Sequence, residues 1–173
     1  VAEIHALGGK AVANYDSVAT AAGGARIVQA AMDTFGCVDI VINNAGILRD
    51  ASLVKMSSDS FDTLIDVHLK GAFYVTQPAF RVMKERGYGR VVYTASGAGL
   101  FGNFGQANYA AAKMGLVGLS SVTAIEGAKY NIKSNVITPI ARTRLTEDLM
   151  GVTGDMFAPE FIAPMVAYLV SEG

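Results

Sequence analysis

An α/β fold, a doubly wound parallel sheet with helices on both faces, is what two features of this 173-residue sequence predict. Short β-branched, apolar runs alternate with longer Ala-rich or amphipathic segments, and strands spaced by helices mean βαβ units. Polar and turn-forming residues follow those runs directly, where open parallel sheets gather their ligands, at the strand carboxyl ends.

Taken in order, VAEIHALGGKAVA reads as the last turns of a helix, a stop at Gly8-Gly9, and a short strand over Lys10–Asn14. A helix over Ser17–Phe35 follows, its continuity weakened by Gly23-Gly24, and then a buried strand, VDIVIN, over Val38–Asn43. Asp59–Arg86 is a long helix, expected to bend at Pro78. Arg90–Ala95 is a strand, Gly97–Gly105 a Gly-rich loop on the substrate side, Ala107–Lys129 a helix and Ile132–Ile137 a strand. A short helix near Thr143–Met150 and a closing helix over Ala158–Ser171 complete the pattern.

Four strand ends then carry Asn14-Tyr15-Asp16, Asn43-Asn44-Ala45-Gly46, Ser96 and Thr138-Pro139. Tyr109 and Lys113, at i and i+4, share one helical face. A phenol with a pKa of roughly 10 is a poor acid or base near neutrality, and an ammonium one turn away favours the phenolate. With Ser96 to hold an oxygen by hydrogen bonding, the three describe proton transfer at an alcohol or ketone, with no metal and no covalent nucleophile.

Composition bounds the alternatives. Hydrophobic residues make up 51% and charged residues 17%, which fits one well-buried domain over residues 1–173. A net charge of -1, with no Lys/Arg-rich run, gives no footprint for nucleic acid. The one cysteine, Cys37, excludes an intrachain disulfide and reads as a buried small side chain. No apolar stretch approaches the roughly 18 residues of a membrane span.

NNAG after a buried strand, followed by Ser, Tyr and Lys at these spacings, resembles the short-chain dehydrogenase/reductase family along essentially the whole chain. The resemblance implies a Rossmann-like fold and a nicotinamide cofactor, NAD or NADP. It implies that Asn43, Asn44, Ala45 and Gly46 stabilise the sheet and line the cofactor pocket, and that Asp16 binds the adenine ring. Tyr109 becomes the general acid or base, Lys113 its partner and the ribose ligand, Ser96 the substrate-orienting hydroxyl, and Thr143, shortly after Pro139, a neighbour of the carboxamide. The phrases GGKAVANYDSV, NNAGILRD, HLKG and GNFGQANYAAAK look like one subgroup, the (3R)-hydroxyacyl-CoA dehydrogenase domains of fatty-acid β-oxidation. That subgroup implies an acyl-thioester substrate and a homodimer or tetramer, peroxisomal in a eukaryote and cytoplasmic in a bacterium.

The sequence also departs from the family. His68 stands where most members carry an asparagine of a water-linked proton relay; it also falls in an apolar stripe with Leu64, Ile65, Leu69 and Ala72, as a satisfied core histidine would. Ile140 replaces a glycine, and Arg144 stands where the family's threonine often falls. The Gly-rich loop after a first strand is missing. In the strand order 3-2-1-4-5-6, Lys10–Asn14 would be the third strand and Val38–Asn43 the fourth, so the domain reads as incomplete, without the first two strands and the last. Two strands fewer would open a gap of roughly 10 to 15 Å and expose apolar edges. Small residues Ala110, Ala111, Gly115 and Gly118 suit either packing on the sheet or a dimer face, and Arg49, Arg142 and Arg144 either coenzyme A phosphates or solvent. An NADPH-dependent 3-oxoacyl thioester reductase and a cofactor-incompetent assembly module remain open as alternatives.

Overall fold

The computed structural model describes residues 1–141 and 157–172. Its elements are α1 (Ala2–Ala6), α2 (Ala21–Phe35), β1 (Ile40–Asn43), α3 (Ser58–Ile65), a π-helical turn (Asp66–Lys70), α4 (Gly71–Arg86), β2 (Gly89–Thr94), α5 (Gly97–Phe101), α6 (Ala107–Gly127), β3 (Ile132–Ile137) and α7 (Ala163–Val170). The strands form a parallel sheet in the order β1-β2-β3, with Asn43 opposite Tyr93 and Thr94 opposite Ile137. This register brings the carboxyl ends of all three strands to one edge of the sheet, together with Asn44, Ser96 and Pro139.

One face of the sheet carries Val41, Val91 and Tyr93, which share a buried core with Val28 of α2, Ala72, Ala79 and Met83 of α4 and Leu116 of α6. The Tyr93 hydroxyl reaches Thr76 and Thr123, so a buried phenol is satisfied between two helices. Alternation sends Ile40 and Ile42 to the other face, where both remain exposed on the edge strand.

Three expectations need correction. Lys10–Asn14 pairs with no described strand. His5 Nε2 lies 3.1 to 3.2 Å from both backbone groups of Ala11 and satisfies one of them, where a ladder would have used them. The long helix is not continuous over Asp59–Arg86: Pro78 sits inside α4, and the interruption falls at Asp66–Lys70, where the Gly71 N–H reaches back five residues to the Asp66 carbonyl. Cys37 is half-buried rather than buried, and its thiol donates to Asp39.

Gly23 and Gly24 do not break α2, because their missing side chains are what lets it pack. A Cβ on Gly24 would lie 2.5 Å from the Tyr74 carbonyl oxygen, the group that Pro78, having no N–H, leaves without its helical donor. The predicted helix at Thr143–Met150 lies outside the described residues, as do Thr143, Arg142 and Arg144. Among the described residues no helix is long and apolar enough to cross a membrane.

Candidate active site

The strand β2 ends at Thr94, and Ser96 turns the chain by capping the short α5, its Oγ accepting the Ala98 N–H at 3.2 Å. The helix α6 then returns over the sheet edge. Its i, i+4 spacing puts Tyr109 and Lys113 on one face as predicted, with the Lys113 Nζ 5.4 Å from the Tyr109 ring centre. Lys113 is 4% exposed and donates to the Thr94 carbonyl at 2.5 Å. Burial pulls its pKa down from 10.5 to about 8.

The lowering of the phenol expected from Lys113 is not what the structure shows. Burial raises the Tyr109 pKa, the nearby Ser96 hydroxyl opposes the rise, and the negative charge of Asp50 adds to it. Lys113 is held on the Thr94 carbonyl. Tyr109 therefore keeps its proton at neutral pH in this arrangement.

His68, turned inward by the π-helical turn, closes the site from below. It is 4% exposed, meets the Tyr109 ring edge-on at 5.4 Å, and sets Nε2 2.9 Å from the Ile47 nitrogen and 2.8 Å from its carbonyl oxygen. One tautomer uses one of these two bonds. Burial first and the Lys113 charge second drive its pKa from 6.5 to about 4, while the Ile47 bond opposes them. Its Nδ1 is buried without a partner, as is Thr94 Oγ1.

The Asn-Asn-Ala-Gly run is drawn in through His68. A Cβ on Gly46 would lie 2.6 Å from His68 Cε1, so only glycine fits against the ring. Asn43 donates to Thr76 at 3.0 Å and so ties β1 to α4. Asn43, Asn44, Ala45, His68 and Lys113 line a cavity of about 130 Å³, whose remaining wall includes Val18, Ile42 and Leu116. Asp16 stands apart, its carboxylate paired with Arg26 at 2.6 Å and its pKa lowered by that bond. Pro139 closes β3 at the same sheet edge.

Sequence reasoning missed Asp50, Gln106 and Asn108. Asn108 begins the buried stripe of α6 that continues through Ala112, Leu116 and Ser120, so a polar residue in a core register was the available signal. Among the described residues no group of three or more His, Cys, Asp or Glu could hold a metal ion.

A family model described as short chain dehydrogenase matches residues 1–150. The chain belongs to that family. This short-chain dehydrogenase chain is 54% identical to a short-chain type dehydrogenase/reductase of Mycobacterium tuberculosis, spanning 99% of this chain and 60% of that protein. It is 52% identical to the peroxisomal hydratase-dehydrogenase-epimerase of Saccharomyces cerevisiae, with 99% of this chain and 19% of that protein covered. It superposes on the full-length peroxisomal multifunctional enzyme type 2 of Drosophila melanogaster with a TM-score of 0.82 at 46% identity, over 99% of this chain and 29% of that one. The subgroup read from the sequence phrases is the one the peroxisomal enzymes among these relatives occupy, and the dehydrogenase chain spans three fifths or less of the length of each relative.

Proposed function

We propose that the protein is a nicotinamide-dependent oxidoreductase acting on a secondary alcohol or ketone, with a 3-hydroxyacyl thioester as substrate. The observation that carries this reading is the convergence of Ser96, Tyr109 and Lys113 at the carboxyl end of a parallel sheet, against a cavity lined by Asn43, Asn44 and Ala45.

The residues present fit a nicotinamide riboside. Apolar walls from Val18 and Ile42 suit a planar ring, and the Lys113 ammonium and the unpartnered His68 Nδ1 suit ribose hydroxyls or a bridging water. Asp16, already held by Arg26, supports the adenine contact less well. When bound, the cofactor accepts or gives the hydride at the carbinol carbon.

The chain itself handles the oxygen and its proton. Ser96 donates to the substrate oxygen. In the reductive direction Tyr109, protonated at neutral pH, passes its hydroxyl proton to that oxygen as the carbonyl becomes an alcohol. In the oxidative direction the phenolate takes the hydroxyl proton back, and Lys113 is the cation close enough to stabilise that charge. His68, neutral at physiological pH, orients Tyr109 and the Gly46–Ile47 backbone.

The acyl thioester is supported by the relatives and by the mouth of the site. A hydratase makes the secondary alcohol that a dehydrogenase then oxidises, which is the pairing in the name of the yeast relative. Leu53 and Val54 beyond β1, Phe101 at the end of α5 and Phe104 just before α6 stand exposed, an apolar rim suited to an acyl chain. Met114, Val122 and Ile125 form an exposed stripe on α6 that supports a homodimer. The test is calorimetric titration of the purified protein with NAD and NADP, followed by turnover of a 3-hydroxyacyl thioester. Saturable binding and turnover that Tyr109→Phe abolishes without loss of cofactor affinity are expected; absence of binding at millimolar cofactor refutes the reading.

A further inference from the structure

Asn108 is fully buried, yet each polar atom of its side chain is used. Its Nδ2 donates to the carbonyls of Arg49 at 2.9 Å and Ser60 at 3.3 Å, and its Oδ1 accepts the Tyr109 N–H at 2.8 Å. Two carbonyls on one side and an N–H on the other fix the amide's orientation. The bond to Tyr109 matters because first-turn N–H groups of a helix have no intrahelical acceptor, and Gln106, which precedes α6, supplies no side-chain cap.

The Gln106 side chain is engaged elsewhere. Its Nε2 donates to Asp50 at 2.8 Å and its Oε1 accepts from Asn103 at 2.9 Å, while the Ala51 N–H donates to the Gly105 carbonyl at 2.9 Å. Residues 49–51, which follow Asn-Asn-Ala-Gly, are thereby sewn to residues 103–108, which lead into Tyr109.

We propose that Asn108 is the positioning residue for Tyr109, and that Asp50 and Gln106 brace it, so that the loop after β1 sets where the catalytic hydroxyl stands. This rests on the oxidoreductase reading for the role of Tyr109, while the junction itself is a matter of geometry. No other side chain of similar size serves here. Leucine would leave two buried carbonyls and an N–H without partners, and aspartate would turn an acceptor toward two carbonyl oxygens. A displacement of about 1 Å at a reacting group costs roughly 100-fold in rate, so a slack first turn of α6 is enough to silence the site. The titratable groups facing the phenol are Asp50 from the loop, His68 from the π-helical turn and Lys113 from α6.

Two readouts on the purified protein test the proposal, one of which needs no turnover. Asn108→Ala is expected to lower kcat roughly 10- to 100-fold with KM within about twofold. Nuclear magnetic resonance of ring-labelled tyrosine, assigned through Tyr109→Phe, is expected to show the Tyr109 ionisation displaced in the same variant. Asp50→Asn, a change at an exposed residue, is expected to move that ionisation to lower pH, because it removes a negative charge beside the phenolate. Should Asn108→Ala not fold, Gln106→Met, which breaks the brace and keeps every charge, decides the matter alone. The proposal is overturned if the folded variants leave both kcat and the Tyr109 ionisation where they were. A wild type that turns over no secondary alcohol sinks the oxidoreductase reading instead, and the tyrosine titration still judges the junction.

Discussion

Replacing Lys113 by methionine should make the protein more stable at neutral pH and inactive. The burial that makes this lysine useful also penalises its charge, drawing its pKa from 10.5 to about 8. At ~1.36 kcal/mol for each tenfold change in proton affinity, holding the ammonium inside the fold costs about 3 kcal/mol. The sign follows from proton counting. Between the folded and unfolded values the unfolded chain binds the proton and the folded chain does not, so stability rises with pH in that window; below pH 8 the full cost applies. Methionine escapes it but leaves the Thr94 carbonyl without its donor, a loss of about 1 to 3 kcal/mol that does not vary with pH. The net gain at pH 7 is therefore about 1 kcal/mol, and the sharper observable is the difference between the two proteins. Urea denaturation of both from pH 7 to 10 should show wild type gaining about 2.5 kcal/mol on Lys113→Met. A gap that stays flat across that range would refute the reasoning, since every other titrating group is common to both proteins.

Two further outcomes follow from the same physics. His68, neutral and buried with a pKa of about 4 against 6.5 when unfolded, draws stability down as pH falls through that interval, by about 3 kcal/mol at the acid end; His68→Gln should unfold less readily between pH 6.5 and 4 in acid titrations followed by circular dichroism. Gly24→Ala would drive a methyl to 2.5 Å from the Tyr74 carbonyl oxygen, a backbone atom that cannot step aside, and should lower stability by about 1 to 3 kcal/mol, seen as a shifted urea midpoint at unchanged slope.

Much of the site was legible in the sequence because it depends on short-range spacing. Tyr109 and Lys113 meet because four residues make about one helical turn, and Ser96 stands at a strand end because the apolar run before it stops there. What escaped was set by partners distant in the chain. Lys10–Asn14 reads as a short apolar run after a helix stop, but a strand exists only through a neighbour's hydrogen bonds. The missing N–H of Pro78 is visible locally; that the orphaned Tyr74 carbonyl would face Gly24 is not. The direction of the Tyr109 shift was misjudged for the same reason, as Lys113 gives its hydrogen bond to Thr94 and burial then prevails. Asn108 could be counted as helical, yet its worth lies in Arg49 and Ser60, 59 and 48 residues away.

The π-helical turn at Asp66–Lys70 has a bearing on how this stretch tolerates change in length. A turn wound one residue wide puts everything after it about 100° out of phase with a regular continuation of α3. Leu64 of α3 and Ala72 and Ala79 of α4 all reach the interior only because that extra residue is accommodated between them. Deleting a single residue from this turn would shorten the chain by less than 1% and let α3 pass into α4 as one regular helix with Leu64, Ala72 and Ala79 still in phase; what it would remove is the wide turn that aims His68 at Ile47. The spare residue thus serves the site and not the core: a helix without it keeps α4 packed on β1 and gives up the bond between His68 and Ile47.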